Sequence, residues 1–408
     1  MKEASRIQAA IEILDEVLKD ALPADNLLEQ YFKTRRYIGA KDRRFIAELV
    51  WRVIRHRCKY TEMLRNHVSA RLFIALNLID TGSDIELLFN GENYAPNLLS
   101  KEEKKALKEA TLFESFNVSA LDECPEWLYC KFSDKNLLAS LNKPAPVDVR
   151  ANLTSREEAQ RDLRKEGLFF SLTPYSPIGL RSEERINLRN CMTYQDGKIE
   201  VMDEGSQLLA LLCQAKPHHK IIDYCAGAGG KSLAIAALMH NEGIIWAHDI
   251  NQERLSRIKK RAERLEILNI KLIKDVNEFD YDRFIIDAPC SGSGTWRRAP
   301  DAKFRLTPAK LQNICQTQTD LLCFGAQHTK IGGYLIYMTC SVFAEENEQQ
   351  IEAFLQQKTN FQLINHQKLW KDTLDLEFYP FDTSKWLKFS PITTQTDGFF
   401  FCCLKKIS

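Results

Sequence analysis

Two cysteines of the chain lie where a catalytic nucleophile would be expected. Cys290 follows the apolar run Phe284–Ile286, and Cys340 follows the apolar run Tyr334–Tyr337. Both runs predict strands of an open α/β sheet, in which ligands bind beyond the carboxyl ends of the strands. Two thiols at the ends of adjacent strands are suited to nucleophilic catalysis by a thiolate.

The remaining cysteines favour a reducing compartment. The chain has 12 cysteines in 408 residues, and no two of them form a Cys-x-x-Cys pair. The first residues lead into an amphipathic pattern rather than a secretory signal, and no apolar run reaches the roughly 18–20 residues that cross a bilayer. We therefore expect a cytoplasmic protein with free thiols and no membrane association. The eight histidines lack metal-ligand spacing, so no metal site is predicted.

A glycine-rich loop predicts a nucleotide-like ligand. Residues 223–231 (DYCAGAGGK) follow the first apolar strand of this region, and the glycines let a ligand approach the backbone. A phosphate-binding P-loop would need glycine at Cys225, and a dinucleotide fingerprint would need glycine at Ser232. Asp249, after the next strand, is placed to accept hydrogen bonds from the ribose of an adenosine. S-adenosylmethionine, which needs no phosphate cradle, fits this pattern best.

A thiol beside a methyl donor suggests methylation of carbon 5 of a pyrimidine. That carbon is too weak a nucleophile to take the methyl group directly, but a thiolate that adds to carbon 6 makes the ring enamine-like. The carbon 5 proton must then leave and the thiolate must be expelled, which requires general acid–base groups. Asp287, at the end of the fourth strand, would bind the N3/N4 edge of cytosine and favour its protonated form.

The elements that hold these residues predict an α/β fold with two preceding parts. Residues 1–140 predict an all-helical domain, since apolar residues recur at helical spacing. Pro144 and Pro146 mark a boundary before a small α+β module at residues 141–215. Residues 216–408 alternate short strands with amphipathic helices, the pattern of a mostly parallel, doubly wound sheet. The predicted strands are Ile221–Tyr224, Ile244–Ala247, Lys271–Ile273, Phe284–Ile286 and Tyr334–Tyr337, with Phe399–Leu404 expected at a sheet edge.

Several motifs resemble those of RNA cytosine-C5 methyltransferases of the Sun/Nop family. They are the glycine-rich loop, DAPCSGSGT at residues 287–295 and TCS at residues 339–341. The resemblance implies a Rossmann-like class I S-adenosylmethionine methyltransferase sheet. It also implies that Cys340 is the nucleophile and that Cys290 assists product release. The methyl donor would contact Cys225, Ala226, Gly227, Ala228, Gly229, Gly230, Lys231, Asp249, Arg254, Asp275 and Asp287.

The helical part resembles the NusB-like RNA-binding domain of RsmB-type enzymes, through RYIGAKDRR at residues 36–44. Because that subgroup methylates small-subunit ribosomal RNA, the resemblance favours 16S ribosomal RNA as the substrate. Ala228, Gly205 and Met202 depart from the usual motifs, but none of these departures removes a chemical group from the mechanism. Two alternatives stay open. One is a transfer-RNA cytosine-C5 methyltransferase, and the other is a catalytically silent RNA-binding factor in ribosome assembly. A DNA enzyme would be expected to use the Pro-Cys cysteine as its nucleophile.

The formal net charge of +1 conceals local basic clusters. Between Lys33 and Lys59 there are ten basic residues against two acids, close to three aromatic side chains. Basic groups neutralise phosphates and aromatic rings stack on unpaired bases, so this region predicts an RNA surface. A second cluster follows the Cys290 motif, and the sequence identifies no protein partner. The candidate RNA-binding residues are Arg36, Lys41, Arg43, Arg44, Arg297, Arg298 and Lys303.

Overall fold

The computed structural model describes residues 1–184, 186–276, 280–383 and 385–408. These residues divide into two compact units. The first unit comprises residues 1–143 together with 296–307, and the second comprises residues 144–295 together with 308–408. The unit boundary between Lys143 and Pro144 falls in the proline-containing stretch, while the division into three domains stays a prediction.

The first unit is built from helices. Its longest helices bury one apolar face each, as in the first helix, where Ile7, Ala10 and Leu14 are fully buried. The helices in chain order are α1 (Glu3–Val17), α2 (Ala24–Thr34), α3 (Ala40–Arg55), α4 (Arg57–Leu64), α5 (Ala70–Asp80), α6 (Ile85–Leu88), α7 (Lys101–Thr111), α8 (Val118–Leu121), α9 (Glu126–Tyr129) and α10 (Lys135–Asn142). The helical character that the periodicity predicts for residues 1–140 is therefore present, while residues 296–307 of this unit lie outside the predicted domain.

The second unit begins with a small antiparallel sheet. Its strands lie in the order β2-β3-β1-β4, and Val149, Leu163 and Ile199 share a buried core between the sheet and its helices. The elements are β1 (Val147–Ala151), α11 (Arg156–Lys165), β2 (Ser171–Leu172), β3 (Gly179–Ser182), α12 (Met192–Gln195), β4 (Ile199–Val201) and α13 (Glu204–Leu212).

An eight-stranded sheet forms the rest of the second unit in the described residues. Its order is β10-β12-β9-β8-β5-β6-β7, with β11 paired to β12. The five strands from β9 to β7 are parallel, and β10, β11 and β12 pair antiparallel. The strands are β5 (Lys220–Asp223), β6 (Ile244–Ala247), β7 (Ile270–Leu272), β8 (Tyr281–Asp287), β9 (Thr329–Thr339), β10 (Phe361–Leu363), β11 (Leu387–Phe389) and β12 (Phe399–Lys406).

Helices cover both faces of this sheet. Along β8, Ile285 belongs to one apolar core while Phe284 and Ile286 belong to the core on the opposite face. Alternate residues of a strand point to opposite faces, so this division is what a doubly wound sheet requires. The helices of this part in chain order are α14 (Gly230–Leu238), α15 (Gln252–Arg264), α17 (Pro308–His328), α18 (Glu348–Gln357) and α19 (His366–Leu374), while α16 (Ala302–Arg305) belongs to the helical unit.

The expected edge position of the last strand was wrong. β12 lies inside the sheet between β9 and β10, and β10 occupies the edge instead. β10 has only three residues, Phe361–Leu363, and such a short run gives no clear alternation in the sequence. The other predicted strands and the fold class are confirmed. The prediction Ile244–Ala247 matches β6 at both ends, and the ends of the other four strands are shifted by one to five residues.

The segment Trp296–Thr307, which includes α16, packs within the helical unit although it follows the Cys290 motif in sequence. The Lys303 ammonium donates to the carbonyl of Glu123 and, at 3.2 Å, to Oδ1 of Asn142. Arg55 Nη2 donates to the carbonyl of Arg297 at 2.6 Å. The chain therefore passes between the two units three times rather than once.

A close backbone contact ties the loop after β8 to the start of β12. Gly398 N donates to the carbonyl of Gly294 at 2.8 Å, and Gly294 N donates to the carbonyl of Cys340 at 3.0 Å. A Cβ atom on Gly294 would lie 2.0 Å from the Gly398 carbonyl oxygen. No side chain fits there without displacing backbone.

We expect Gly294→Ala to lower the free energy of unfolding by about 2 kcal/mol or more, because the added methyl group overlaps backbone atoms. Gly230→Ala is the matched control, since a Cβ atom there meets nothing within 4 Å and Gly230 begins α14. The control should change stability by less than about 1 kcal/mol. Urea unfolding of both variants measures the difference, and equal stabilities would contradict the assignment of this contact.

Candidate active site

The carboxyl ends of three adjacent strands bring the predicted catalytic groups together. β8 lies between β5 and β9, so the residues that end these strands share one edge of the sheet. Asp223 pairs in register with Ile285, and Asp287 pairs with Met338, two residues before Cys340. This parallel pairing is what places Asp223, Asp287 and Cys340 side by side.

The two predicted catalytic thiols touch each other. The Sγ atoms of Cys290 and Cys340 lie 3.2 Å apart, within hydrogen-bond distance, and both side chains are partly exposed. The hydrogen bond with Cys340, together with burial, raises the pKa of Cys290 well above its ordinary value. Cys290 is thereby favoured as the thiol that donates its proton towards the sulfur of Cys340.

A buried lysine lies beside the carboxylate of Asp287. Lys231 Nζ donates to Oδ2 of Asp287 at 2.7 Å, and 31% of the Asp287 side chain is exposed. Burial opposes the charge of Lys231, but the Asp287 carboxylate outweighs it and raises the pKa of the lysine. The pair keeps one oxygen of Asp287 occupied, and the described residues give no protein partner to the other oxygen.

The glycine-rich loop needs its glycines for two physical reasons. Gly227 and Gly229 have φ values of +55° and +81°, a left-handed backbone that other residues rarely adopt. A Cβ atom on Gly227 would lie 2.8 Å from Nη2 of Arg254, and one on Gly229 would lie 2.6 Å from Ile258. The loop is thus pressed against α15 and its backbone stays open to a ligand.

Asp249 holds the loop from the neighbouring strand. Its carboxylate oxygens accept hydrogen bonds from Gly227 N and Asn251 N, both at 2.7 Å. Ile250 follows directly and is 95% exposed. Its role was not predicted from the sequence. An apolar side chain this exposed beside a buried acid is suited to cover the flat face of a bound base.

Of the remaining predicted cofactor residues, some are held by contacts with neighbouring elements and one, Asp275, is exposed. Ala226 N donates to the carbonyl of His248 at 2.8 Å, and Arg261 donates to the carbonyl of Ala228, a contact that the sequence did not predict. Cys225 is partly exposed, and burial raises its pKa. Asp275 is exposed, and no contact among the described residues joins it to the loop.

A fully buried carboxylate links the two cysteine loops and was missed by sequence reasoning. Glu346 is 0% exposed and accepts hydrogen bonds from Ser291, next to Cys290, and from Ser341, next to Cys340. The sequence offers only the acidic pair Glu345-Glu346 after β9 as a signal. Charged pairs in such positions are usually exposed, so nothing in the sequence distinguishes Glu346.

The predicted RNA-binding residues of the helical unit divide into exposed and structural groups. Arg36, Lys41 and Arg44 are exposed. Arg43 is partly buried, and its Nε donates to the carbonyl of Ile38 at 2.7 Å. Three of these four basic side chains therefore lie open to a phosphate backbone.

The second predicted basic cluster is largely buried in the helical unit. Lys303 is 2% exposed, and Arg297 is 9% exposed. Burial lowers the pKa of Lys303, whose ammonium contacts Glu123 and Asn142. We therefore correct the expectation that Lys303 and Arg297 offer charge to RNA, because packing encloses both side chains. Arg298 is exposed.

Neither a metal-binding cluster nor a membrane-spanning helix occurs in residues 1–184, 186–276, 280–383 and 385–408. Within these ranges, no set of three or more His, Cys, Asp or Glu side chains is arranged to hold a metal ion. No helix in the same ranges is both long enough and apolar enough to pass through a bilayer.

Asp223 is buried with one oxygen unsatisfied. Its Oδ2 accepts a hydrogen bond from Ser232 Oγ at 2.5 Å, while Oδ1 has no partner among the described residues. Burial raises the pKa of Asp223 to about 7, since the nearby Asp287 charge adds to the effect of desolvation. The folded protein therefore binds this proton more tightly than the unfolded chain does.

We expect Asp223→Asn to remove a pH-dependent part of the stability. Between the unfolded pKa near 4 and the folded pKa of about 7, the folded state carries more protons, so the wild-type free energy of unfolding falls as pH rises. From pH 4 to pH 8, the free energy of unfolding of the wild-type protein should fall by about 3 kcal/mol relative to that of the variant. Urea unfolding across this range measures it, and a pH-independent difference between the two proteins would contradict the assignment.

Comparison with known proteins places the chain in a family. The family model described as 16S rRNA methyltransferase RsmB/F matches residues 210–405. A probable ribosomal RNA small subunit methyltransferase B of Synechocystis sp. is 32% identical over 338 residues, 77% of this chain and 71% of the relative. The corresponding probable enzyme of Bacillus subtilis is 33% identical over 222 residues, 52% of this chain and 49% of the relative. The chain thus spans between about half and 71% of the length of these relatives.

Solved structures agree with the fold. The crystal structure of PH0851 has a TM-score of 0.80 at 23% identity and covers 100% of this chain and 99% of that one. The structure of NSun6 from Pyrococcus horikoshii with SFG, an analogue of S-adenosylmethionine, has a TM-score of 0.61 at 20% identity over 69% of this chain and 97% of that one. At these identities the likeness shows a class I methyltransferase fold. With the family match, the chain belongs to the RsmB/F family of S-adenosylmethionine-dependent methyltransferases.

Proposed function

We propose that this protein transfers a methyl group from S-adenosylmethionine to carbon 5 of a cytosine in RNA, with 16S ribosomal RNA as the favoured substrate. The observation that carries the proposal is the 3.2 Å contact between the sulfur atoms of Cys290 and Cys340. A methyltransferase acting on an oxygen or nitrogen atom has no need for two thiols at this edge of the sheet. Addition to carbon 6 and release from it need a nucleophile and a second proton-handling group.

The glycine-rich loop and the residues that follow β6 fit the methyl donor. The exposed Ile250 is placed to cover the adenine, and Asp249 retains unused lone pairs for the ribose hydroxyls. The left-handed backbone at Gly227 and Gly229 keeps side chains away from the amino-acid end. When bound, S-adenosylmethionine supplies an electrophilic methyl group on a sulfonium centre.

Asp287, Cys340 and Cys290 have different roles in the reaction of the cytosine. Asp287, held at Oδ2 by Lys231, presents its other oxygen to the N3/N4 edge of the base. Cys340 adds to carbon 6 as a thiolate, so that carbon 5 can accept the methyl group. As Cys340 is expelled from carbon 6, Cys290 gives its proton to the departing sulfur, which lies 3.2 Å away, and takes up the proton that carbon 5 loses, so that it ends the cycle as a thiol again.

The target cytosine must be reachable by these groups. A base inside a duplex cannot reach a thiolate at a sheet edge, so the cytosine would lie in a loop or be flipped out. The exposed Arg36, Lys41 and Arg44 of the helical unit would hold the RNA backbone. A NusB-like role for this unit, the cytoplasmic location and the choice of 16S over transfer RNA stay predictions.

Loss of either thiol should affect a different step. Cys340→Ala is expected to abolish methyl transfer, because carbon 6 then has no nucleophile. Cys290→Ala is expected to accumulate a covalent RNA–protein adduct, because release of Cys340 is impaired. Transfer of tritiated methyl groups and denaturing gels measure the two effects, and Cys191→Ala, a buried thiol in the apolar core of the small antiparallel sheet, serves as the control. Undiminished transfer by Cys340→Ala would refute the mechanism.

The basic surface can be tested by charge reversal. The variant Arg36→Glu, Lys41→Glu, Arg44→Glu should weaken binding to a 16S fragment at least tenfold at moderate salt, because several phosphate contacts are lost. The control variant Lys101→Glu, Lys105→Glu, Lys108→Glu makes the same charge change on the exposed side of α7. Fluorescence anisotropy measures both affinities, and an equal loss in the two variants would argue against a defined surface.

The substrate itself can be identified in cells. Bisulfite mapping of RNA from cells that lack this protein should show loss of methylation at a cytosine of 16S ribosomal RNA. Loss in transfer RNA would instead support the transfer-RNA alternative. No change at any cytosine would favour the silent assembly factor.

A further inference from the structure

Glu346 occupies an unusual position directly behind the two thiols. It ends the 3-10 turn Ala344–Glu346 after β9 and is completely buried. Its Oε1 accepts from Ser291 N at 2.8 Å and from Gln318 Nε2 at 3.1 Å. Its Oε2 accepts from Ser291 Oγ at 2.5 Å and from Ser341 Oγ. A single carboxylate therefore receives four hydrogen bonds.

Three of the four hydrogen bonds to this carboxylate come from the residues that follow the two thiols. Ser291 follows Cys290, and Ser341 follows Cys340. The two segments are also joined through Ser293, whose hydroxyl lies 3.0 Å from Ser341 Oγ and accepts from Val342 N at 2.9 Å. The separation of the two sulfur atoms thus depends on loops that are both fastened to Glu346.

We propose that Glu346 is a positioning residue that holds Cys290 and Cys340 in contact and makes the two thiols chemically unequal, with Cys290 kept as the thiol. The inference rests on the proposed function for its catalytic meaning. The geometry that supports it, a buried carboxylate bonded to both loops, stands without that function.

The inequality follows from where the negative charge lies. The groups that donate to Glu346 are neutral, and among the described residues no ion pair neutralises its carboxylate. Its charge therefore acts on its surroundings across a poorly polarisable interior. Two of its hydrogen bonds come from Ser291, adjacent to Cys290. A thiolate at Cys290 would place a second negative charge beside the first.

The other groups that face the thiols act in the same direction. Cys290 faces Cys340, Glu346 and the phenol of Tyr337, none of which is a cation. The Glu346 charge contributes to the raised pKa of Cys290, after the hydrogen bond with Cys340 and burial. The cation of this site, Lys231, interacts with Cys340 and Asp287. Negative charge is therefore disfavoured on one sulfur and compensated near the other.

Titration of Cys290 tests the proposal without RNA or methyl donor. In a Cys340→Ser background, the rate of iodoacetamide alkylation of the Cys290 peptide would be followed by mass spectrometry against pH. Glu346→Gln, which removes the charge and keeps the shape, should move the midpoint down by about 1 pH unit. Glu204→Gln is the matched control, because Glu204 is also fully buried and accepts two backbone hydrogen bonds from Tyr175 and Ser176.

The control separates electrostatics from loosening of the fold. Glu204→Gln should leave the midpoint unchanged. An unchanged midpoint in Glu346→Gln, or an equal shift in both variants, would overturn the proposal.

A second variant keeps the test decisive if Glu346→Gln does not fold. Glu346→Asp keeps the charge but shortens the side chain, so it should retain the midpoint to within about 0.3 pH unit while methyl transfer falls at least tenfold. A clear fall in the midpoint or full activity of this variant would overturn the proposal. An inactive wild-type protein with a shifted Glu346→Gln midpoint would refute the proposed function and leave the role of Glu346 standing.

Discussion

The site depends on the parallel pairing of β8 with β9. This pairing sets Asp287 opposite Met338, and the segments that follow the two strands leave the sheet at the same edge. The sulfur atoms of Cys290 and Cys340 therefore lie 3.2 Å apart. A slip of the register by one residue would turn every side chain of the slipped strand to the opposite face. The separate apolar cores on the two faces of β8 fix the register, because Ile285 and Phe284 each have only one suitable side.

Polar groups then convert this shared edge into a chemically ordered site. Lys231 fixes Asp287 from the glycine-rich loop, and Glu346 fastens the segments after both thiols. The Gly294–Gly398 contact adds a backbone tie from β12. Glu346 is fully buried and the Lys231 side chain is only 10% exposed, and unmatched charge is costly in such positions. The arrangement therefore favours one distribution of protons over its alternatives.

The sequence predicted those features that depend on local pattern. Strand periodicity and the loop glycines located Cys290, Cys340, Asp249 and the parallel strands. The sequence did not predict side-chain contacts between residues that are distant along the chain. The donors to Glu346 lie up to 55 residues away, and a hydrogen-bond partner of Lys303, the carbonyl of Glu123, lies 180 residues away. A lysine in a basic cluster is predicted to be exposed, and only its packing shows that Lys303 is buried. The three-residue β10 was missed because its pairing, rather than its sequence, defines it.

The central claim is that Cys340 bonds to carbon 6 of a cytosine while Cys290 stays a thiol. The most direct measurement is mass spectrometry of the wild-type protein after incubation with S-adenosylmethionine and RNA that carries 5-fluorocytidine at the target. Fluorine cannot leave carbon 5 as a proton does, so the covalent intermediate should persist. The account predicts one adduct, on the peptide that contains Cys340. An adduct on Cys290, or methylation of ordinary RNA with no adduct at all, would contradict it.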